Sequence, residues 1–543
     1  MINKITLTYE DVAVGAKEAF VFTQEDRESF INTSDLNITT PTILNYATVG
    51  EFGQTFLDDT QELLPEDKTG ITLGTWSNSL SGEDGTFETP IVLSMETTIG
   101  NFTSQGLTIT FDDFLNIYSK NIDVVWYRNG EIISSKSFNN DKAVAYLANM
   151  VENYNKVVIT FKDLNIPKNR LKIKQFDFGT IRKYGNEELA GGVKLIEEIS
   201  PISDELTINT LDFKLVTKDS LTLFFQPKQP LKLEVNGNLQ GVFFVREGKR
   251  TSEMKYSVKA EDYIGIMDSI YFKGGVYTSK NVLELIDEIM TACKVPYEIT
   301  GTPVVNVLTG YIPYTTCREA LQQVLFASGL VADTSRTNKV KIFNVQTEVS
   351  KEYSQENVIN GQTMKTEKPL TELRLTEHFY KQISETTNLY EGSESGLCEN
   401  KLLVFSEPHY NYAITGGTII ESDYNYAIIT ITSTSGVLTG KNYEVTNTEF
   451  VVKNPNLNVN DVENIATVTD ATLIGTNNAE IIANNIYNYY SERNTLESKV
   501  VDFESVLGDM VTFNGAYFGS KTGVVEKMSY NTVNAFVPEI VVK

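Results

Sequence analysis

The side chains able to act as acids, bases, nucleophiles or metal ligands are unevenly supplied in this chain. There are 71 aspartates and glutamates, but only two histidines, His378 and His409, and three cysteines, Cys293, Cys317 and Cys398. Histidine is the side chain that titrates nearest neutrality and the commonest transition-metal ligand, so its scarcity weighs against most acid–base and metal-centre chemistry. His378 lies in the alternating, strand-like run TELRLTEHFYKQ, and His409 follows Pro408 in a loop-like stretch. Neither has a Cys or Ser motif nearby, and both read as structural or surface histidines. The cysteines are far apart without CxxC spacing, which argues against a disulfide framework.

Carboxylates remain. Paired acids hydrolyse glycosides and clustered acids hold calcium. The neighbouring pairs are Glu83-Asp84, Asp112-Asp113 and Glu261-Asp262. None fits a calcium loop, adjacent residues of a strand point to opposite faces, and so acid-rich a chain produces such neighbours by chance. They are expected to be solvated turns or strand edges. Gly274-Gly275 and Gly416-Gly417 lack the context of a phosphate-binding loop and read as turns. The remaining chemistry is stacking: Trp76, Phe87 and Tyr127, if exposed at loop tips, are candidate contacts for the sugar rings of a surface glycan, whereas Trp126, mid-strand, reads as core. No catalytic residue, cofactor or metal site is expected, and the chain reads as a non-enzyme.

The elements that would position these residues are mostly strands. At 543 residues the chain exceeds what one core usually supports, and 28 Phe with 27 Tyr supply apolar material for several. The net charge of −25 repels nucleic acid, so no sequence-specific nucleic-acid partner is expected. No apolar run approaches the ~18 residues of a membrane span, and the start MINKITLTYEDV carries no signal peptide, so no stable membrane insertion is expected.

Residues 107–139 alternate through two strands joined by Asn129-Gly130, a hairpin signal, and residues 157–161 and 171–178 continue the rhythm. Residues 143–153 form the one helical candidate in that region. YGNEELAGG, from Tyr184, loses the apolar period and reads as a boundary. Strands are expected at 206–216, 220–226, 230–235 and 241–246, with Asn236-Gly237 as a turn. Val282, Leu285, Ile286, Ile289 and Met290 form an amphipathic helical stripe after Asn281. Thr316 caps a second helix closed by Gly329. Residues 356–470 suggest many short strands, with the echoing pieces HYNYAITGGTII and DYNYAIITIT too brief to define a repeat. A helix at 477–492 and closing strands GDMVTF, GVVEKMSY and AFVPEIVVK end the chain.

Three stretches together resemble a family of tail proteins from phages and phage-tail-like particles of low-GC Gram-positive bacteria. The first includes LGTWSNSLSGEDGTFETPIVL, WYRNGEIISSKSF and NIPKNRLKIKQFDFG, and is similar to a galactose-binding, discoidin-like jelly roll. The second includes ISPISDELTINTLDFKL, QPLKLEVNGNLQGVFFV and YSVKAEDYIGIMD, and is similar to the first domain of tail-hub proteins. The third, over residues 479–542, looks like the end of the same hub fold. The resemblance implies a mainly β, multidomain chain: a jelly-roll module at 1–185, a hub β-barrel domain with two helices at 193–350, and a second hub β domain at 351–543 with a small β insertion around 397–460. It further implies a structural baseplate or tail-tip hub of a phage, contractile injection system or tail-like bacteriocin. Such a hub is commonly a homotrimer, is assembled in the bacterial cytoplasm, and joins tail-tube, spike and tape-measure proteins. The alternatives are a receptor-binding protein that recognises a cell-surface glycan and, more remotely, a cell-wall glycosidase.

Overall fold

The computed structural model describes residues 4–543 except 14, 24–28, 32–44, 49, 54–61, 64–72, 190–191, 218–228, 393–397, 434, 458–461, 502–504, 516 and 532–536. The strand expected at 220–226 lies outside the described residues, as does the start of the last one. The chain is mainly β and divides into two compact units, Thr8–Lys183, and Tyr184–Lys543 with Met1–Leu7.

The N-terminal unit is a sandwich of β1 (Thr86–Glu96), β2 (Phe102–Thr110), β3 (Asn121–Arg128), β4 (Glu131–Asn139), β5 (Val144–Tyr154), β6 (Lys156–Asp163) and β7 (Gln175–Asp177). One sheet runs β4-β3-β6-β1 and the other β5-β2-β7. Alternation puts Ile122, Val124 and Trp126 of β3 and Val157, Ile159 and Phe161 of β6 on one face. There they share a core with Leu107 and Ile109 of β2 and Ala145 and Leu147 of β5. Trp126 is fully buried, and truncating such a ring costs about 3–5 kcal/mol. Asn129 and Gly130, with φ of 51° and 87°, form the left-handed pair that a two-residue hairpin turn requires.

The helix expected at 143–153 is instead β5. Its Ala, Leu and Met content favours a helix, but Ala145 and Leu147 pair directly with Ile109 and Leu107 and enter the core. A helix there would leave one side of β2 unpaired, so cross-strand pairing overrides local propensity.

The C-terminal unit is organised by one long antiparallel sheet. Its first part comprises β8 (Val193–Glu198), β9 (Thr210–Val216), β10 (Pro230–Val235), β11 (Asn238–Ser252) and β12 (Lys255–Glu261). Asn236 and Gly237 make the predicted turn between β10 and β11. The chain then forms three helices: α1 (Tyr263–Met267), α2 (Val282–Cys293) and α3 (Cys317–Ser328). Asn281 caps α2, its Oδ1 accepting from the amides of Leu283 at 2.9 Å and Glu284 at 3.2 Å; Thr316 caps α3, and Gly329 ends it at φ 68°. The predicted α2 stripe is buried in full.

After β13 (Val358–Thr366) comes a ribbon of two long strands, β14 (Glu372–Gly392) before an excursion and β19 (Gly436–Lys453) after it. The excursion holds β15 (Cys398–Val404), β16 (His409–Thr415), β17 (Gly417–Asp423) and β18 (Tyr426–Ile431). The short strands expected across 356–470 are thus dominated by partners of 21 and 18 residues. Leu373 and Leu375, at the ribbon's base, are buried in the core that also holds the α2 and α3 stripes; at its far end Ala427, Ile429, Ile431 and Leu438 form a separate small core. β20 (Ile465–Val468) and α4 (Ala479–Ser491) follow, and β21 (Asn494–Val500), β22 (Met510–Gly515), β23 (Gly519–Asn531) and β24 (Glu539–Val542) close the chain.

The sheet order β10-β11-β12-β9-β8-β23-β24-β21-β13 inserts the last strands beside the first. β8 is therefore flanked by β9 on one side and β23 on the other, with Leu195 opposite both Leu211 and Tyr530. The second and third domains expected from sequence share this sheet and lie within one unit.

Candidate functional site

A densely connected polar cluster of the C-terminal unit lies at this joint. Alternation along β8 puts Val193, Leu195 and Glu197 on the buried face, so a carboxylate occupies a position that the strand pattern reserves for an apolar side chain. Its partner is Arg336, from the turn after Val331–Asp333, whose Nη2 lies 3.1 Å from Glu197 Oε2. Arg336 has φ of 57°, and its amide donates to Gln240 O at 3.0 Å. Its guanidinium also donates to Ser505 O at 3.0 Å and to the Tyr530 hydroxyl. One residue thus ties together β8, β11, β23 and the segment before β22.

A second branch runs through Asp262. It caps α1 by accepting from the Gly265 amide at 3.1 Å, and it accepts from the Asn209 amide at 3.0 Å and from Thr334 Oγ1 at 2.6 Å. Asn209 Nδ2 in turn donates to Asp333 Oδ1 at 3.2 Å. Burial pushes Glu197 up to about 7 against the pull of Arg336, and burial raises Asp262 to about 7 against its three donors. Glu197 Oε1 is buried without a hydrogen-bond partner. These groups face protein on every side, so the cluster is suited to fixing two parts of a sheet together rather than to receiving a substrate.

The N-terminal unit has its own buried ionic cluster. Lys172 Nζ lies 3.0 Å from Glu51 and 3.8 Å from Asp112, and donates to Tyr46 O at 2.8 Å; Lys174 Nζ lies 2.7 Å from Asp113 and 3.8 Å from Asp112. Burial lowers the Lys172 pKa, opposed chiefly by Glu51. Asp112 and Asp262 were both expected in solvated positions and are 3% and 1% exposed. In each case donors distant in sequence reach the carboxylate, an effect local pattern does not encode. Glu83-Asp84 is exposed as expected, with Asp84 accepting from the Thr86 amide at 2.9 Å.

The aromatic candidates are not gathered into a platform. Trp76 is 7% exposed and meets Tyr46 edge-on at 5.5 Å, and Phe87 is 6% exposed within the sandwich core. Both were candidates on the condition of exposure at loop tips, and their strands turn them inward. Tyr127 is half-buried on β3, opposite Ile132 and Lys156. His378 bridges Asn447 Oδ1 at 3.0 Å and Thr469 O at 2.9 Å, and His409 contacts Asn442 Oδ1 at 3.1 Å; both are buried. Among the described residues no group of three or more His, Cys, Asp or Glu is placed to hold a metal ion. Cys293 and Cys317, 24 residues apart in sequence, are buried in the same core, and the Cys293 thiol donates to Met290 O at 3.3 Å.

No family model matches the chain, and no curated protein matches it. Several solved structures are similar. A tail protein of Neisseria meningitidis MC58 shares 9% identity, with 65% of this chain and 91% of that one covered and a TM-score of 0.43. The 43 kDa tail protein of prophage MuSo2 from Shewanella oneidensis shares 7% identity over 67% and 94%, with a TM-score of 0.41. Prophage tail protein gp18 of Listeria monocytogenes EGD-e shares 9% over 66% and 90%, with a TM-score of 0.39.

Proposed function

We propose that this chain is a structural hub of a phage tail or phage-tail-like particle, forming a ring, as a homotrimer, where the tail tube meets the spike or tip. One observation carries the reading. The two stretches that resemble hub proteins, around residues 199–277 and 479–542, are far apart in sequence yet contribute strands to one sheet, joined where β8, just before the first stretch, pairs with β23 of the other. A half-buried arginine, Arg336, then crosses that joint. Two distant segments closing one sheet around a fixed ionic staple suit a part that transmits load rather than one that turns over substrate. On this reading the partners are tail-tube, spike and tape-measure proteins, the chain is assembled in the bacterial cytoplasm, and it has no catalytic activity of its own.

Light scattering on the purified chain, with and without a tube or spike partner, tests the ring. Particles of three times the chain mass of 60.8 kDa, alone or on adding the partner, are expected. A monomer under both conditions would rule the ring out. Zymography on Gram-positive peptidoglycan should show no clearing, and clearing would overturn the non-enzymatic reading.

A further inference from the structure

The two lysines of the N-terminal ionic cluster have different partners. Lys172 is taken up by Glu51 and by the Tyr46 carbonyl. Lys174 meets, besides the carboxylates of Asp113 at 2.7 Å and Asp112 at 3.8 Å, a side-chain amide: its Nζ lies 2.9 Å from Asn45 Oδ1. Lys174 is 6% exposed, and Asn45 is half-buried. An amine, a carboxamide and a carboxylate in mutual reach are the three groups that an amide exchange requires: a nucleophile, an acyl carbon with a nitrogen to expel, and a group that moves the proton. Their positions are fixed from both sides. The Lys174 amide donates to Thr110 O at 2.7 Å, while Asn45 precedes Tyr46, whose carbonyl accepts from Lys172 at 2.8 Å and whose ring meets Trp76 edge-on. Such placement converts a sluggish bimolecular reaction into an intramolecular one. Burial lowers the Lys172 pKa, and the charge of Lys174 adds to that lowering against Glu51 and Asp112, so loss of one ammonium charge relieves the cluster.

We propose that Lys174 and Asn45 join in an intramolecular isopeptide bond, with Asp113 as the proton-transfer group. Asp113 takes one Nζ proton, and the neutral amine attacks Cγ of Asn45. The Nζ–Cγ bond forms, and the Cγ–Nδ2 bond breaks as a second Nζ proton passes through the same carboxyl to the departing nitrogen. Ammonia leaves and picks up the first proton; no electron is transferred, and nothing outside the chain is consumed. The bond ties together residues 129 apart in sequence and fastens the segment at Tyr46 to the sandwich. It is read from this cluster alone and does not depend on the hub reading.

The test is mass spectrometry of the purified full chain. Its intact mass should fall short of the sequence mass by one ammonia, and its tryptic digest should contain a branched peptide joining Asn45 to Lys174. The branched peptide is needed because a succinimide at the exposed Asn129-Gly130 or Asn236-Gly237 turn would release the same ammonia. Lys174→Arg keeps a cation beside the carboxylates and should restore the full sequence mass, with tryptophan fluorescence reporting an intact sandwich. Asp113→Ala, at an exposed position, should lower the linked fraction, since proton transfer by a placed group contributes ~100-fold or more in rate. A chain of full sequence mass without the branched peptide, a deficit that survives Lys174→Arg, or an undiminished linked fraction in Asp113→Ala would overturn the proposal.

Discussion

The two buried ionic clusters hold their charges in opposite ways. In the sandwich, two lysines enter from one short stretch, and Lys172 and Lys174 face Glu51, Asp112 and Asp113, so a buried cation is what burial perturbs. At the joint of the C-terminal unit a single arginine serves a region rich in acids, and Glu197 and Asp262 are what burial perturbs. The difference teaches that a buried ionic cluster has a sign. A lysine held below its ordinary pKa is penalised while charged, and its unit gains stability only as the pH is raised through the lowered pKa toward the usual lysine range. A carboxylate held above its ordinary pKa retains its proton better when folded. Its contribution is fully present below the ordinary carboxylate range and is lost as the pH rises through about 7.

The comparison can be broken unit by unit, because both tryptophans, Trp76 and Trp126, lie in the sandwich and the C-terminal unit has none. The largest effect is expected from Arg336→Met, which leaves Glu197 buried and unpaired. The C-terminal unit should lose about 3–5 kcal/mol, read as lost hydrogen-exchange protection in β8 and β23, while tryptophan fluorescence in urea reports an unchanged sandwich. Lys172→Met should produce the converse, a loss of similar size seen by tryptophan fluorescence. Next comes pH. Exchange protection of the C-terminal unit should fall between about pH 5 and 8, and Glu197→Gln, which cannot ionise, should make that fall shallower; an equally steep profile in the variant would show that Glu197 is not its source. The smallest effect is expected from Asn281→Ala, which removes the α2 cap and should cost about 1 kcal/mol, visible as faster exchange confined to the first turn of that helix.

Where the determinants were local, the sequence was legible. Asn129-Gly130, Asn236-Gly237, the α2 stripe and the Thr316 and Gly329 caps are set by a few neighbouring residues, and the structure has each of them. Where partners come from far along the chain, it was not. β5 is a strand because β2 needs an edge, and Asp112 and Asp262 are buried because lysines, an asparagine and a threonine reach them from distant segments. The candidate site was missed for the same reason. Glu197 reads as one acid in KLIEE, and only the alternation from Val193 and Leu195 hints that it points inward. Nothing near Arg336 in sequence announces its partner. The exposure of Trp76 was not legible either, because an aromatic beside polar residues suits an exposed loop and a strand edge equally well, and it is the pairing of Thr75–Ser77 with Lys172–Ile173 that sets it.

The neighbourhood of β8 and β23 has a consequence for synthesis. Glu198 and Lys527, which bond across these strands, are 329 residues apart. At translation rates of ~5–20 residues per second, β8 waits on the order of tens of seconds for the strand that covers it. Through that interval a nascent chain carries a bare strand edge and an unneutralised Glu197 position, so the ribosome-bound intermediate, rather than the finished protein, is the species most exposed to mispairing with its neighbours on the same message.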